Sequence, residues 1–222
     1  GYQIAECAQA TDTVENMARN RDEFEKLIRR QTSIPKAILL SGGGNDIARY
    51  STLLSLLEYA DSAQAGWNEQ MVLGLIDGQN GKIRLAYIAL LTAVTQQCRQ
   101  KWGWPVPILI HGYAHPIPDG RPGPLGKNWL EPVFKARRYV DSSGNVDIPR
   151  CTPLAAQLVD RLNEMLKALP PSPSLNFSHV TYVNLRPALS SGNDYQDDWR
   201  NEMHPTPHGF SKVAELIAAA IP

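Results

Sequence analysis

Lys36-Ala37-Ile38-Leu39-Leu40-Ser41-Gly42-Gly43-Gly44-Asn45-Asp46 (KAILLSGGGND, residues 36–46) sets a short apolar run against an abrupt glycine turn, and its reading decides the fold class. Bounded upstream by Pro35, such a run reads as a strand buried on both faces, which is the pattern of a parallel sheet. At its exit, glycines let backbone approach a ligand closely and Asn45 offers an amide with two donors. Ligands of parallel α/β sheets gather beyond the carboxyl ends of the strands, so this loop is the first place to look for function.

Working outward, Tyr2 to Ala8 alternates apolar and polar side chains and predicts a short strand near a sheet edge. Thr11 or Asp12 can cap an amphipathic helix over 14–30, with Val14, Met17, Phe24, Leu27 and Ile28 on one face. Downstream, helices are expected over 47–59 and 82–101, then a buried strand over 106–110 and a short helix over 129–139. A helix over 154–169 with Pro153 at its start, a strand over 179–185 and a closing helix from His208 to Ala220 complete the pattern. This alternation predicts one domain over residues 1–222, a three-layer α/β/α sandwich around a parallel, flavodoxin-like sheet.

Twenty-two basic residues offset 22 acidic ones, so no net field draws the protein to nucleic acid or an anionic membrane, and a small substrate fits better. No apolar run approaches the ~20 residues a membrane span needs. Cys7, Cys98 and Cys151 are widely spaced and form no C-x-x-C pair, which predicts buried free thiols.

Three loops carry candidate chemistry. The glycine turn lacks the spacings of the two common phosphate-binding loops, G-x-x-x-x-G-K-[ST] and G-x-G-x-x-G. A second loop, Asp198-Trp199-Arg200-Asn201-Glu202-Met203-His204-Pro205-Thr206, puts His204 where it could take a proton from a hydroxyl nucleophile, although a lone loop histidine also reads as a solvated or structural residue. His208 falls in the first turn of the closing helix. In the third, His111, His115 and Asp119 match no metal-ligand spacing, so the loop reads as pocket lining, and neither metal nor cofactor is expected.

The order of strand, GGGND, further α/β units and a late W-x-N-E-x-H-P-T (199–206) before a terminal helix resembles the SGNH, or GDSL-type, esterase family. The resemblance implies a serine-dependent carboxylic ester hydrolase working through an acyl-enzyme, with His204 as general base and Asn45 and Gly44 in the oxyanion loop. Thr11, within Ala10-Thr11-Asp12-Thr13, stands where the family has its oxyanion glycine, and Asn201 stands where the family has an aspartate. The partner of the imidazole is then Glu202, which the reading favours, or Asp198, Asn201 or a backbone carbonyl. Tyr113, Trp129 and the Pro- and Gly-rich stretch 113–124 are expected to shape the pocket for a small-molecule ester.

No Gly-Asp-Ser block occurs, and Ser41 would lie beside the oxyanion loop rather than opposite it. The expectation is therefore a separate N-terminal segment, before Gly1, that carries the serine and completes the sheet. Two alternatives stay open: a catalytically inactive binding module of SGNH fold, and a sugar O-acetyl esterase or acyltransferase on the same scaffold.

Overall fold

The protein is described by a computed structural model covering residues 2–123, 126 and 128–222. Along the chain run helices α1 (Val14–Arg19) and α2 (Asp22–Arg30), strand β1 (Ile38–Leu40), and helices α3 (Gly44–Ile47), α4 (Tyr50–Leu56), α5 (Glu69–Val72) and α6 (Lys82–Trp102). Strand β2 (Ile108–His111) follows, then α7 (Glu131–Ala136), α8 (Ile148–Ala168), strand β3 (Val180–Val183), α9 (Tyr195–Asp198) and α10 (Pro207–Ala219).

The three strands form a parallel sheet in the order β1-β2-β3, with Leu39 opposite Leu109 and Leu109 opposite Thr181. Central β2 is buried along its whole length, as an uninterrupted apolar run requires. Alternation sends its side chains to two cores. Ile108 and Ile110 share one with Tyr87, Leu91 and Val94 of α6 and Leu158, Leu162 and Leu166 of α8. Leu109 joins Val183, Leu185 and the Val213, Leu216 and Ile217 face of α10. Each fully buried Leu or Ile contributes about 1.5–3 kcal/mol, so these two faces hold the three layers together.

Several elements depart from the sequence expectations. Tyr2 to Ala8 takes no regular secondary structure and pairs with no strand among the described residues. Ile4 is 85% exposed, because alternation makes a strand only where a partner supplies the ladder. The Tyr2 ring nevertheless lies 5.8 Å from Lys36 Nζ, so this segment runs beside the start of β1. β1 is an edge strand, and Leu39 is 47% exposed on an otherwise apolar run.

The expected helix over 14–30 is two helices, broken where the Asn20 N–H caps back to the Asn16 carbonyl at 2.8 Å. That over 47–59 divides at Ala48 and Arg49. α8 starts earlier than expected because the Asp147 side chain caps the Arg150 N–H and Pro149 occupies the first turn, which leaves Pro153 inside the helix. Cys98 and Cys151 are buried free thiols, whereas Cys7 is exposed. Among the described residues, no helix is long and apolar enough to cross a membrane.

Candidate functional site

The turn after β1 is built from beneath by two tyrosines. The Tyr87 and Tyr113 hydroxyls both donate to the Gly42 carbonyl, at 2.9 and 3.0 Å, and the Gly44 N–H donates to the Tyr113 oxygen at 3.1 Å. Gly43 has φ +96°, a conformation that glycine adopts without penalty and that opens α3. This geometry corrects two expectations. Tyr113 supports the turn instead of shaping a substrate pocket, and the Gly44 N–H is already engaged, so it is not available to an oxyanion.

The Asn45 Nδ2 donates to the Asp12 carbonyl at 3.0 Å, which leaves its second hydrogen free to point elsewhere. One residue on, the Val14 N–H donates to Asp46 Oδ2 at 3.0 Å, while the Thr13 hydroxyl caps the Asn16 N–H at the start of α1. The GGGND loop and the loop at 11–14 are thereby stitched together, although they lie more than thirty positions apart in the chain.

Thr11 has φ +72°, and its N–H makes no hydrogen bond among the described residues. A left-handed backbone costs an L-residue about 1–2 kcal/mol, and branching at Cβ makes it less comfortable still. Strain of this kind persists where surrounding structure enforces it, and it clusters at functional sites. Thr11→Gly relieves it while making the unfolded chain more flexible, so the expected net gain is about 0.5–1 kcal/mol, read from the urea unfolding midpoint. A lower midpoint would show that the hydroxyl contributes more than the backbone loses.

A cleft of about 430 Å³ opens over these loops, lined by Thr11, Asn45, Ala48, Arg49, Tyr50, Asn128 and Trp129. Trp129 is held by a carboxylate far along the chain. Glu202, only 1% exposed, accepts the N–H groups of Trp129, Leu130, Glu131 and Gly120 at 2.9, 3.0, 2.9 and 3.2 Å. Burial pushes its carboxyl upward, against the pull of those four donors. The indole lies against Gly123, where a Cβ would fall 2.1 Å from Trp129 Cη2.

Glu202 therefore satisfies the free donors at the start of α7. Exchange to the isosteric glutamine turns one acceptor oxygen into a donor, so the Trp129 and Leu130 or the Gly120 and Glu131 N–H groups lose their partner. The expected cost is about 2–3 kcal/mol in urea unfolding, and a loss below 0.5 kcal/mol would contradict the clamp.

Trp129 meets His204 edge to face, with ring centroids 5.1 Å apart. His204 itself is not among the residues lining the cleft but packs against this indole. Its loop is closed tightly: the Arg200 N–H donates to the His204 carbonyl at 2.9 Å, and the Thr206 N–H to the Asp198 carbonyl at 2.8 Å. The Thr206 hydroxyl caps the Gly209 N–H and Pro207 sits in the first turn of α10, so the imidazole is fixed just ahead of a well-capped helix.

The Asn201 carbonyl oxygen accepts the Met203 N–H and the His204 N–H, both at 2.9 Å, and lies 3.1 Å from His204 Nδ1. Two backbone donors fix that atom as oxygen, so Nδ1 carries the hydrogen and Nε2 is the unprotonated nitrogen of neutral His204. Partial desolvation of this otherwise exposed side chain, followed by the nearby Arg200 charge, holds the imidazole below its ordinary pKa.

The partner of the imidazole is thus Asn201, and the preference for Glu202 is corrected. Glu202 spends its oxygens on the amides around Trp129, and buried Asp198 spends its own on the Ser190 N–H at 2.7 Å and on Lys212 at 2.8 Å. Asn201, three positions before His204, is one of the alternatives the sequence leaves open, and its turn onto the Met203 and His204 N–H groups is the local signal that favours it over Glu202.

The third loop holds no metal set. His111 Nδ1 lies 2.7 Å from the Gly112 carbonyl, His115 Nε2 lies 2.9 Å from Asp160, and Asp119 accepts from Arg121 and the Tyr195 hydroxyl. Among the described residues, no group of three His, Cys, Asp or Glu side chains converges on an ion position. Exposed His208 heads α10, with its Nε2 3.9 Å from Asp198. The end of the Pro- and Gly-rich stretch at Pro124 lies outside the described residues.

No family model matches this chain, and no curated protein does. Among solved structures it is similar to a Bacteroides fragilis protein provisionally named an acylhydrolase, with 14% identity over 95% of this chain and 70% of that one and a TM-score of 0.48. It is also similar to a GDSL-like lipase from Bacteroides thetaiotaomicron, with 15% identity over 95% of this chain and 71% of that one and a TM-score of 0.41.

Proposed function

We propose that these 222 residues form one domain carrying the base and the oxyanion groups of an SGNH-type ester hydrolase acting on a small-molecule ester. One observation carries the reading. A tautomer-fixed imidazole backs onto the same indole that borders the cleft of Asn45 and Thr11.

In this reading a serine hydroxyl attacks the ester carbonyl while His204 Nε2 takes its proton. The second Asn45 amide hydrogen and the unpaired Thr11 N–H donate to the oxyanion, each worth about 3 kcal/mol when well placed. Collapse of the tetrahedral intermediate breaks the bond to the alcohol, which leaves with the proton from the imidazolium. Water then repeats the sequence on the acyl-serine, again giving its proton to His204, and the acid departs with the serine oxygen restored. Of the expected set Asn45, Gly44 and Thr11, this reading keeps Asn45 and Thr11 as the donors, since the Gly44 N–H is engaged with the Tyr113 hydroxyl.

The serine is proposed to arrive on an added strand that pairs with the outer edge of β1, supplied by a segment outside residues 1–222. The exposed Leu39 on edge strand β1, which has no second ladder partner among the described residues, supports this placement, since an unpaired edge is a template for another strand. A second reading, a binding module without turnover, is favoured by the uncharged Asn201 beneath His204.

Hydrolysis of 4-nitrophenyl acetate by the full-length protein separates the two. A base must be neutral, and lowering its pKa keeps it neutral to more acidic pH, so kcat/KM is expected to fall only below about pH 6.5, the ordinary histidine value. No turnover, or an acid limb above that value, would contradict the hydrolase reading.

A further inference from the structure

The walls of the cleft are chemically lopsided. Of its seven lining residues only Ala48 is aliphatic; the others offer a hydroxyl and two amides from Thr11, Asn45 and Asn128, two aromatic rings from Tyr50 and Trp129, and the Arg49 guanidinium. The apolar surface of this cleft includes two flat aromatic faces and a single aliphatic side chain, so a flexible fatty acyl chain finds little aliphatic wall there. Amides and hydroxyls flanked by flat rings suit a hydroxylated ring instead.

Arg49 gives the cleft its charge. Exposed Arg49 makes, among the described residues, no ion pair within 4.0 Å and no side-chain hydrogen bond, whereas Arg137 donates to the Leu54 carbonyl and Arg161 to Glu69 and Asp77. Asp46 is near enough to feel its field, but its Oδ2 accepts the Val14 N–H. The Trp129 indole across the cleft is uncharged, and the Glu202 carboxylate behind it is occupied by four N–H groups. In a chain with no net charge, a guanidinium without a partner beside two candidate oxyanion donors is a local, directional preference for an anion.

We propose that Arg49 reads a carboxylate on the substrate, and that the cleft takes an acylated acidic sugar rather than a lipid ester. The inference rests on the hydrolase reading for the word acylated, but the recognition of a carboxylate-bearing ring does not need a nucleophile. Arg49 is then a specificity-determining residue four positions beyond the oxyanion asparagine.

Binding of methyl glucuronoside and methyl glucoside tests this, because the two rings differ only in a carboxylate against a hydroxymethyl group. In nitrogen-15 NMR titrations at low salt, the glucuronoside is expected to bind about tenfold more tightly and to shift the Asn45 amide and the Trp129 indole signals. Arg49→Gln should abolish the preference and Arg49→Lys should keep part of it. Equal affinities in the unaltered protein, a preference that survives Arg49→Gln, or shifts confined to other regions would overturn the proposal. Failure of the hydrolase reading shows separately, as absence of ester turnover while the carboxylate preference stands.

Discussion

Replacing His204 by alanine in the full-length protein is expected to lower kcat/KM for the proposed ester hydrolysis by about 10⁴-fold while changing unfolding stability by less than about 1 kcal/mol. General acid–base transfer alone contributes about 10²–10⁴, and a base that also activates the nucleophile lies at or above the upper end. The structural cost is small because the imidazole is exposed and its one side-chain hydrogen bond is to Asn201 Oδ1, which keeps the Met203 and His204 N–H groups as donors after the truncation. Kinetics and urea unfolding on the same variant check the two halves together. A loss smaller than tenfold would mean that the imidazole is not the base.

Asn201→Asp works in the opposite direction, and its size follows from what Asn201 already does. In serine proteases the reverse exchange costs about 10⁴ in kcat, much of it because asparagine selects the wrong tautomer. Here the carbonyl oxygen already selects the right one, so a carboxylate adds only the stabilisation of the imidazolium. The expected gain in kcat/KM is about 10²–10³, with burial of the new charge offset by the two backbone donors.

The same substitution moves the titration of His204. A negative charge favours the protonated imidazole, so its depressed pKa rises, and the acid limb of kcat/KM moves to higher pH than in the unaltered protein. Proton NMR of the imidazole reads that shift without any turnover. An unchanged or lower pKa in Asn201→Asp would show that the side chain at 201 does not reach Nδ1.

Much of this site follows from local sequence. The apolar run into GGGND becomes a strand and a glycine turn because both elements are governed by neighbours within a few residues. Thr206 and Pro207 announce the start of α10 by capping chemistry, which fixes where His204 must stand. Thr11 is matched to the family's glycine from its neighbours alone, and its φ of +72° is a backbone that glycine adopts more readily than threonine.

What escaped local reading depends on pairings across the chain. Glu202 looked like the acid because it is two residues from His204, yet its four partners lie at 120 and 129–131, more than seventy positions away. Tyr113 looked like pocket lining because its loop is rich in proline and glycine, but its hydroxyl is spent on a turn about seventy residues earlier. Tyr2 to Ala8 has the alternation of a strand and no ladder, since pairing depends on a neighbour that alternation cannot supply.

The most direct measurement is labelling of the full-length protein with a fluorophosphonate, followed by peptide mapping of the adduct. One phosphonylated serine is expected, on a strand that pairs with β1 and opens onto the Asn45 cleft, and its labelling should all but vanish in His204→Ala. An adduct that forms equally well without His204, or none at all, would contradict an imidazole and a GGGND turn acting on one ester.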